Sequence, residues 1–371
     1  MRIRIVGPVY PFKGGIALHT AHLAWHLLQA GHDVAVESWR RQYPGFLYPG
    51  QQELAEPETA SDLPIRRRLS WMRPDGWWQL GSRLATEADL VVVVLVTPVQ
   101  IPAYLVALAA LRRRARGQSR PRIAVLCHNV LPHERRAVDV PLVRALFRHA
   151  DGVLVHSRAQ GELASALGAR RVEVRRLAPH LPVEAPPRGQ ANVDRAPTLR
   201  LLFFGLVRPY KGLDVLLRAL AQGPPDVTLT VAGEFWGGAE ASRKLVDELG
   251  LGERVDLRPG YVPATELPAL LASADAMVAP YRTATATQNV ALAFAFGLPV
   301  VATTAGALAD DVEDGVNGLL CPPGDVGALA AALRRLYEPG VLARLRSGVK
   351  RVDEAAAWQS YEEGLLDTAR P

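Results

Sequence analysis

Short apolar runs rich in Val, Ile and Leu alternate with amphipathic segments along most of this chain. Such runs are typical of strands buried on both faces, and the segments between them have the period of helices. This alternation predicts parallel sheets flanked by helices, an α/β fold. The first half of the chain contains the predicted strands Ile3–Val6, Asp33–Glu37, Leu90–Leu95, Ile123–Cys127, Gly152–His156 and Val172–Arg176. The second half contains Leu199–Phe204, Val227–Ala232, Val255–Leu257, Ala276–Ala279 and Val300–Ala302.

The length of 371 residues suits two domains of about 150–200 residues each. A Pro- and Ala-rich stretch without periodicity predicts a linker over 183–198. The predicted organisation is a first Rossmann-like domain over 1–182, a second over 199–351, and an amphipathic end, 352–371, that crosses back to the first. Two such domains place a ligand cleft between them, at the carboxyl ends of both sheets. The Trp-rich stretch from about Tyr43 to Trp78 receives no assignment.

The formal charge of +6, carried mostly by Arg, predicts anionic partners such as nucleotides or an anionic membrane surface. No zinc-type pairs or RNA-binding aromatic signature are present, so nucleic acid is not the expected partner. Cys127 and Cys321 resemble small buried residues in a reducing compartment, which predicts a cytoplasmic protein. Peripheral attachment to the inner face of the membrane through Arg-rich surfaces stays open.

The uncharged run from Leu90 to Leu111 is long enough to cross a bilayer. Its β-branched start and its interruption by Pro98 and Pro102 instead favour a strand, a loop and a helix. A membrane span is the alternative.

The loop after the first predicted strand contains Gly14 and Gly15. Paired glycines let a backbone approach a ligand closely and leave amides free at a helix start. The spacing is not the G-x-G-x-x-G of dinucleotide-binding enzymes, which counts against a nicotinamide cofactor. A turn that requires a positive φ is the structural alternative.

The segment from Gly205 to Asp214 joins a predicted strand to a predicted helix and contains Arg208 and Lys211. A strand-to-helix turn with two cations is suited to hold an anion. Lysine is rare in this chain, at positions 13, 211, 244 and 350 only, so Lys211 is not simply background composition.

Two further polar segments adjoin predicted strands or helices, one in each predicted domain. His128 and Asn129 come directly after a buried strand, with His133 and Glu134 close behind. The run Thr287-Gln288-Asn289-Val290 starts a helix and offers caps and amides, a second anion site in the same domain as Lys211. Two such sites suit a diphosphate.

These motifs resemble the group 1 glycosyltransferases, retaining nucleotide-sugar enzymes of GT-B architecture. The similar segments are Gly205-Leu-Val-Arg-Pro-Tyr-Lys-Gly-Leu-Asp214, Ala279-Pro-Tyr281, Gly297-Leu-Pro-Val-Val-Ala-Thr303 and Asp314-Gly-Val-Asn-Gly-Leu-Leu-Cys-Pro-Pro-Gly-Asp325. The Gly14-Gly15 loop and His128-Asn129 fit the family as well. The resemblance implies an acceptor-binding first domain and a second domain that binds the nucleotide sugar.

The resemblance also implies roles for individual residues. Lys211 and an arginine would bind the diphosphate; Leu206 stands where the family has that arginine, so Arg208 is the substitute. The helix from Gln288 would direct its backbone amides at the phosphates. Tyr261 and Val262 would lie near the base, and Gly15 would lie across the cleft from the diphosphate. His128 would lie near the transferred sugar.

One departure from the family pattern concerns two glutamates. Aligned on Gly297-Leu-Pro299, their positions hold Ala284 and Leu292. The second glutamate usually binds the ribose, so Thr287, Gln288 and Asn289 become the nearest candidates for that contact.

The expected activity is transfer of a sugar from a nucleotide diphosphate donor to an unidentified glycan, lipid-linked or small-molecule acceptor, with retention of configuration. No D-x-D triplet occurs, so we expect no metal and no cofactor beyond the donor substrate. The missing glutamates favour one alternative, a non-catalytic nucleotide-sugar-binding or scaffold protein, and a sugar-nucleotide epimerase of the same fold is a further alternative.

Overall fold

The computed structural model describes residues 1–42, 53–54, 63–117, 119–132, 135–180 and 198–370. The chain divides into two compact units. Unit 1 comprises Met1–His180 with Glu354–Pro371, and unit 2 comprises Leu181–Asp353.

Unit 1 contains a parallel seven-stranded sheet of order β3-β2-β1-β4-β5-β6-β7. Its strands are β1 Arg2–Val6, β2 Asp33–Arg41, β3 Ile65–Ser70, β4 Leu90–Leu95, β5 Arg122–Cys127, β6 Gly152–Val155 and β7 Val172–Val174. Strand β4 lies in the middle of the sheet, and all six of its residues are buried. Its unbroken apolar run is what a strand covered by helices on both faces requires.

Helices cover both faces of this sheet. They are α1 Gly15–Gln29, α2 Pro74–Glu87, α3 Ile101–Arg114, α4 Asp139–Phe147, α5 Arg158–Ala166 and the C-terminal α13 Glu354–Asp367. Helices α2, α3 and α4 contribute to one apolar core, and α1 and α13 contribute to the other. The α2–α3 contact is close because Gly81 lies directly against the backbone of Ala107.

Helix α13 belongs to unit 1 although it follows unit 2 in the sequence. Its Trp358, Tyr361 and Leu365 are fully buried against α1 and the sheet. The indole Nε1 of Trp358 donates to the carbonyl of Pro179 at 2.7 Å. The end of the chain thus completes the core of the unit that begins it.

Unit 2 repeats the architecture with a parallel six-stranded sheet of order β10-β9-β8-β11-β12-β13. Its strands are β8 Leu199–Phe204, β9 Val227–Gly233, β10 Val255–Pro259, β11 Ala276–Ala279, β12 Val300–Thr303 and β13 Gly318–Cys321. Its helices are α6 Leu213–Ala221, α7 Glu240–Glu248, α8 Leu267–Ala272, α9 Gln288–Ala295, α10 Leu308–Asp311, α11 Val326–Tyr337 and α12 Val341–Gly348. The predicted α/β class with two Rossmann-like domains is confirmed.

Several strands and helices of the structure are not predicted from the sequence. Strand β3 and the start of α2 lie in the stretch that received no assignment, where β3 is an edge strand with arginines on its exposed positions. Strand β13 is short and was also missed. Most of the remaining unassigned stretch, residues 43–52 and 55–62, lies outside the described residues, as does the predicted linker apart from Thr198.

The prediction of a strand, a loop and a helix for Leu90–Leu111 matches the structure. Strand β4 is followed by a short 3₁₀ helix, Pro98–Gln100, and then by α3. Among the described residues, no helix combines the length and apolar character that a membrane crossing requires.

Candidate functional site

The turn after β8 in unit 2 depends on two glycines. Gly205 has φ +100° and Gly212 has φ +69°, a backbone region that favours glycine. A Cβ on Gly212 would collide with the carbonyl oxygen of Pro280. A Cβ on Gly205 would lie 3.3 Å from Nζ of Lys211 and 3.5 Å from Nδ2 of Asn289. Gly205 therefore keeps the space beside the Lys211 ammonium free of side chain.

Arg282 holds the 3₁₀ turn Pro209–Lys211 in place. Its guanidinium makes a bidentate ion pair with Asp214, with distances of 2.8 and 2.6 Å. The same guanidinium donates to the carbonyl of Pro209 at 2.8 Å, and the Arg282 amide donates to the carbonyl of Tyr210 at 2.7 Å. These bonds join the start of α6 to the loop after β11 and thereby position Lys211.

The ammonium of Lys211 lies 5.2 Å from the centre of the Tyr281 ring and has no carboxylate partner among the described residues. Burial lowers its pKa from the ordinary value, and the nearby Arg208 cation lowers it further. Tyr210 acts in the opposite direction. A half-buried cation without a counter-ion is stabilised when an anion binds beside it.

Arg208 lies on the other side of the turn, and its guanidinium carbon is 4.2 Å from the centre of the Trp236 ring. Backbone bonds join the two segments, since the Trp236 amide donates to Val207 at 3.0 Å. Stacking on an indole restricts a guanidinium without neutralising it. The structure therefore places both predicted cations, Arg208 and Lys211, on one short turn.

Helix α9 begins next to this turn. The Thr287 hydroxyl caps it by accepting from the Asn289 amide at 3.2 Å. The Asn289 side chain donates from Nδ2 to the Phe204 carbonyl at 2.8 Å and to the Tyr281 hydroxyl at 3.1 Å. Asn289 thus ties the helix start to the end of β8, a connection that the sequence did not reveal. Gln288 is half-buried at the first helical position, and Val290 is buried.

The two positions that lack glutamate are apolar and packed. Leu292 is buried in the core beside β11 and β12. The Ala284 carbonyl lies directly against Gly306, whose positive φ and missing Cβ allow the approach. Neither side chain offers a polar group to a ligand.

The loop after β10 holds the residues predicted to lie near a base. Tyr261 is exposed, whereas Val262 packs against the core. The Gly260 amide donates to the Gly233 carbonyl at 3.0 Å, which joins this loop to the end of β9.

In unit 1, the predicted glycine loop precedes α1. Gly14 has φ +112° and occupies the N-cap position. A Cβ on Gly14 or Gly15 would meet no heavy atom within 4 Å. The positive φ requires glycine at position 14, but packing does not require it at position 15.

His128 follows β5 and is almost fully buried in a cluster of histidines. Its ring centre lies 5.1 Å from that of His19 and 5.0 Å from that of His156. Burial lowers the pKa of His128 well below its usual value, and repulsion from His156 and His180 adds to this. His128 is therefore a neutral imidazole near pH 7.

The sequence analysis does not predict the other members of this histidine cluster. The cluster contains His19, His22, His26, His128, His156 and His180, packed with Trp358 and Tyr361. The spacing of His19, His22 and His26 on one face of α1 was the available signal. His133 and Glu134 lie outside the described residues. Within the described ranges, no group of three or more His, Cys, Asp or Glu residues has the geometry to hold a metal ion.

Substitutions of Leu292, which stands where the family usually has a glutamate, test whether a carboxylate on α9 would help to bind the nucleotide. We expect Leu292→Glu to destabilise unit 2 by several kcal/mol, about 3 or more, because it buries an unpaired charge. It should not strengthen the binding of a nucleoside diphosphate. Thermal unfolding and isothermal titration measure the two effects, with Leu292→Met as the volume-matched control.

Substitutions on α9 itself distinguish a ligand contact from a helix cap. We expect Gln288→Ala and Asn289→Ala each to weaken nucleotide binding, Asn289→Ala partly because the end of β8 loses its tie to α9. Asn289→Ala should also lower the melting temperature. Wild-type affinity in both variants would show that this run only caps the helix.

Removal of Arg282 tests whether the position of Lys211 depends on the Asp214 ion pair. We expect Arg282→Ala to weaken nucleoside diphosphate binding roughly tenfold. Without the bidentate charge-assisted pair, the 3₁₀ turn that contains Lys211 loses the contacts that position it. Arg282→Lys should restore little of this, because lysine lacks the planar fork. Arg243→Ala is the control, because Arg243 also pairs with a carboxylate, Glu240, but lies on α7. An Arg282→Ala variant that binds like the wild type would contradict the positioning role.

The family model described as "Glycosyl transferases group 1" matches residues 198–339. D-inositol 3-phosphate glycosyltransferase 1 of Catenulispora acidiphila is 29% identical over 287 residues, covering 70% of this chain and 68% of the relative. The D-inositol 3-phosphate glycosyltransferase of Mycobacterium marinum is 34% identical over 175 residues, covering 45% of this chain and 37% of the relative.

A solved structure of Anabaena Alr3699/HepE in complex with UDP and glucose has a TM-score of 0.76 and 19% identity, covering 99% of this chain and 100% of that one. The lipopolysaccharide outer core galactosyltransferase WaaB has a TM-score of 0.73 and 16% identity, with 99% of each chain covered. At these identities the likeness concerns the fold, which is the predicted GT-B architecture. The family model over residues 198–339 and the curated relatives show that the chain is similar to group 1 glycosyltransferases.

Proposed function

We propose that this protein transfers a sugar from a nucleotide diphosphate donor to an acceptor with retention of configuration. The observation that carries the proposal is the Lys211 ammonium in unit 2. It is half-buried, has no carboxylate partner among the described residues, and lies beside the side-chain-free space at Gly205 and the start of α9. A diphosphate supplies the anion that this arrangement lacks.

Stabilisation of the leaving diphosphate is the chemical contribution of unit 2. The bond between the anomeric carbon and the phosphate oxygen breaks, and negative charge develops on the diphosphate. Lys211, Arg208 and the amides at the start of α9 meet that charge in a preorganised arrangement. Preorganised donors of this type contribute about 2.7–4 kcal/mol each to rate enhancement.

The new bond forms between the anomeric carbon and an acceptor oxygen on the face that the diphosphate leaves. The acceptor proton passes to the departing phosphate oxygen, so no protein nucleophile is needed. His128 of unit 1 is a neutral imidazole near pH 7, and its role near the transferred sugar stays a prediction from the sequence. The sequence lacks a D-x-D triplet, so in this proposal protein cations neutralise the diphosphate without a metal.

The names of similar proteins suggest which substrates to test. Structures with the same fold contain UDP and glucose, UDP-glucose, or ADP. Similar curated proteins are named as D-inositol 3-phosphate glycosyltransferases. A first panel therefore combines UDP-, GDP-, ADP- and TDP-sugars with inositol phosphate and with simple sugar acceptors.

The decisive experiment is a transfer assay over this panel, with chelator in a parallel set. We expect a product whose anomeric configuration equals that of the donor, read from NMR couplings, and no loss of rate with chelator. An inverted product would exclude retention. A loss of activity that added metal restores would exclude metal independence.

The second candidate function is nucleotide-sugar binding without catalysis. Ala284 and Leu292 favour it because neither side chain can hydrogen-bond to a ribose or a donor sugar. Donor binding without transfer or hydrolysis across the panel would support this candidate. Turnover of the donor without any acceptor would instead indicate an epimerase.

A further inference from the structure

Exposed apolar side chains are concentrated where β3 turns into α2 in unit 1. Trp71, Met72 and Trp78 lie within eight residues of each other and are 37%, 55% and 45% exposed. Trp71 and Met72 form the turn itself, and Trp78 lies near the start of α2. Large apolar side chains clustered at one corner, rather than scattered singly, mark an interaction surface.

Further exposed apolar residues lie next to this corner, along the edge of the sheet where its strands end. Strands β3, β4 and β5 all end at the same edge, so the starts of α2, α3 and α4 lie side by side there. Val99, in the 3₁₀ helix before α3, and Val138, directly before α4, are also exposed. Contacts between α2 and α3 and between α3 and α4 keep these ends adjacent.

Arginines flank the same corner. Arg40, Arg41 and Arg68 are exposed and have no ion-pair partner among the described residues. Arg41 lies beside the corner because its carbonyl accepts from the Trp71 amide at 3.1 Å. The acidic neighbours are already paired, Glu37 with Arg66 and Arg83, and Asp75 with Arg73. Counted over the described residues, the net charge of this corner is therefore positive.

From this arrangement we propose that the corner formed by Trp71, Met72, Trp78, Arg40, Arg41 and Arg68, here called the Trp–Arg corner, docks on an anionic lipid bilayer. Tryptophan partitions to the boundary between headgroups and acyl chains, and arginine is attracted by anionic headgroups. The chain has no helix among its described residues that could cross a membrane, so this contact is peripheral. A protein partner would need shape complementarity and fewer unpaired charges at its centre.

Two variants of the whole chain test the proposal, each with a matched control. The apolar variant is Trp71→Ser/Met72→Ser/Trp78→Ser, and its control is Trp25→Ser, because Trp25 is 44% exposed but lies on α1, which covers the opposite face of the sheet. The charge variant is Arg40→Gln/Arg41→Gln/Arg68→Gln. Its control is Arg113→Gln/Arg114→Gln/Arg116→Gln, which removes the same charge at the far end of α3.

The measurement is flotation with vesicles of phosphatidylcholine alone or with phosphatidylglycerol, with thermal unfolding of each variant as a check on folding. We expect the wild type to float with the anionic vesicles only, and less so at high salt. Each corner variant should bind at least roughly tenfold more weakly, and the controls should bind like the wild type. Failure of the wild type to bind anionic vesicles, or an equal loss in corner variants and controls, would overturn the proposal. If the apolar variant does not fold, the charge variant alone decides.

Discussion

Lys211→Met is expected to lose most of the affinity of the protein for a nucleoside diphosphate. The lost charge-assisted contact corresponds to about 1.5–3 kcal/mol, or roughly a 10- to 150-fold weaker Kd. The free energy of unfolding should not fall, because Lys211 keeps its ammonium half-buried without a carboxylate partner among the described residues, and methionine retains the apolar stem. Titration calorimetry with UDP, GDP and ADP measures the affinity, and thermal unfolding measures the stability.

The control for this experiment is Lys244→Met. Lys244 lies on α7 in the same unit, where its side chain is exposed and pairs with Glu248 at 3.6 Å. This variant should bind nucleotide like the wild type. If Lys211→Met keeps wild-type affinity as well, the phosphate role of Lys211 is wrong, and with it the main support for the proposed donor site.

Unit 1 is expected to lose stability as the pH falls from about 6.5 to about 4, because the histidine cluster takes up protons on unfolding. Burial lowers the pKa of His156 to about 4 and that of His180 to about 3, and lowers that of His19 well below its usual value. The groups that face them from α13 are Tyr361, whose pKa is raised by burial, and Glu362, which lies 3.8 Å from His26.

The direction of this pH effect follows from the folded-state pKa values. In the unfolded chain these imidazoles have a pKa near 6.5, whereas in the folded unit they stay neutral to lower pH. The unfolded state therefore binds more protons below pH 6.5, and stability falls with pH until the folded pKa is reached. For His156 alone this amounts to about 2 kcal/mol at about pH 5, a large fraction of the stability of a typical domain.

Urea unfolding across this pH range, with a fluorescence or NMR probe in unit 1, measures the effect. His19→Leu should reduce the slope by about 1.4 kcal/mol per pH unit, since one buried titrating group is removed. His19 suits this test because neither of its ring nitrogens has a hydrogen-bond partner in the part of the chain that the structure describes, so leucine leaves no polar group there unpaired. Equal pH slopes in His19→Leu and the wild type would show that acid acts on the chain elsewhere.

The order of strands and helices could be predicted from the sequence because burial on both faces leaves a local trace. Strand β4 consists of six consecutive apolar residues, and the turn from Gly205 to Gly212 combines glycines and cations within one short segment. Such signals depend only on neighbours along the chain. Strand β3 could not be predicted because an edge strand rich in arginine has no continuous apolar run, and β13 could not because it is only four residues long.

The sequence by itself determined the fold class, the resemblance to the group 1 glycosyltransferases and the turn that contains Arg208 and Lys211. The tertiary structure alone decided that Arg282 pairs with Asp214, 68 positions earlier, and that the Asn289 side chain bonds to the end of β8. It also decided that six histidines meet under α13 and that Trp71, Met72 and Trp78 adjoin Arg41. These arrangements depend on which elements become neighbours when the sheets form, and hydrophobic periodicity carries no information about contacts between side chains so far apart in sequence.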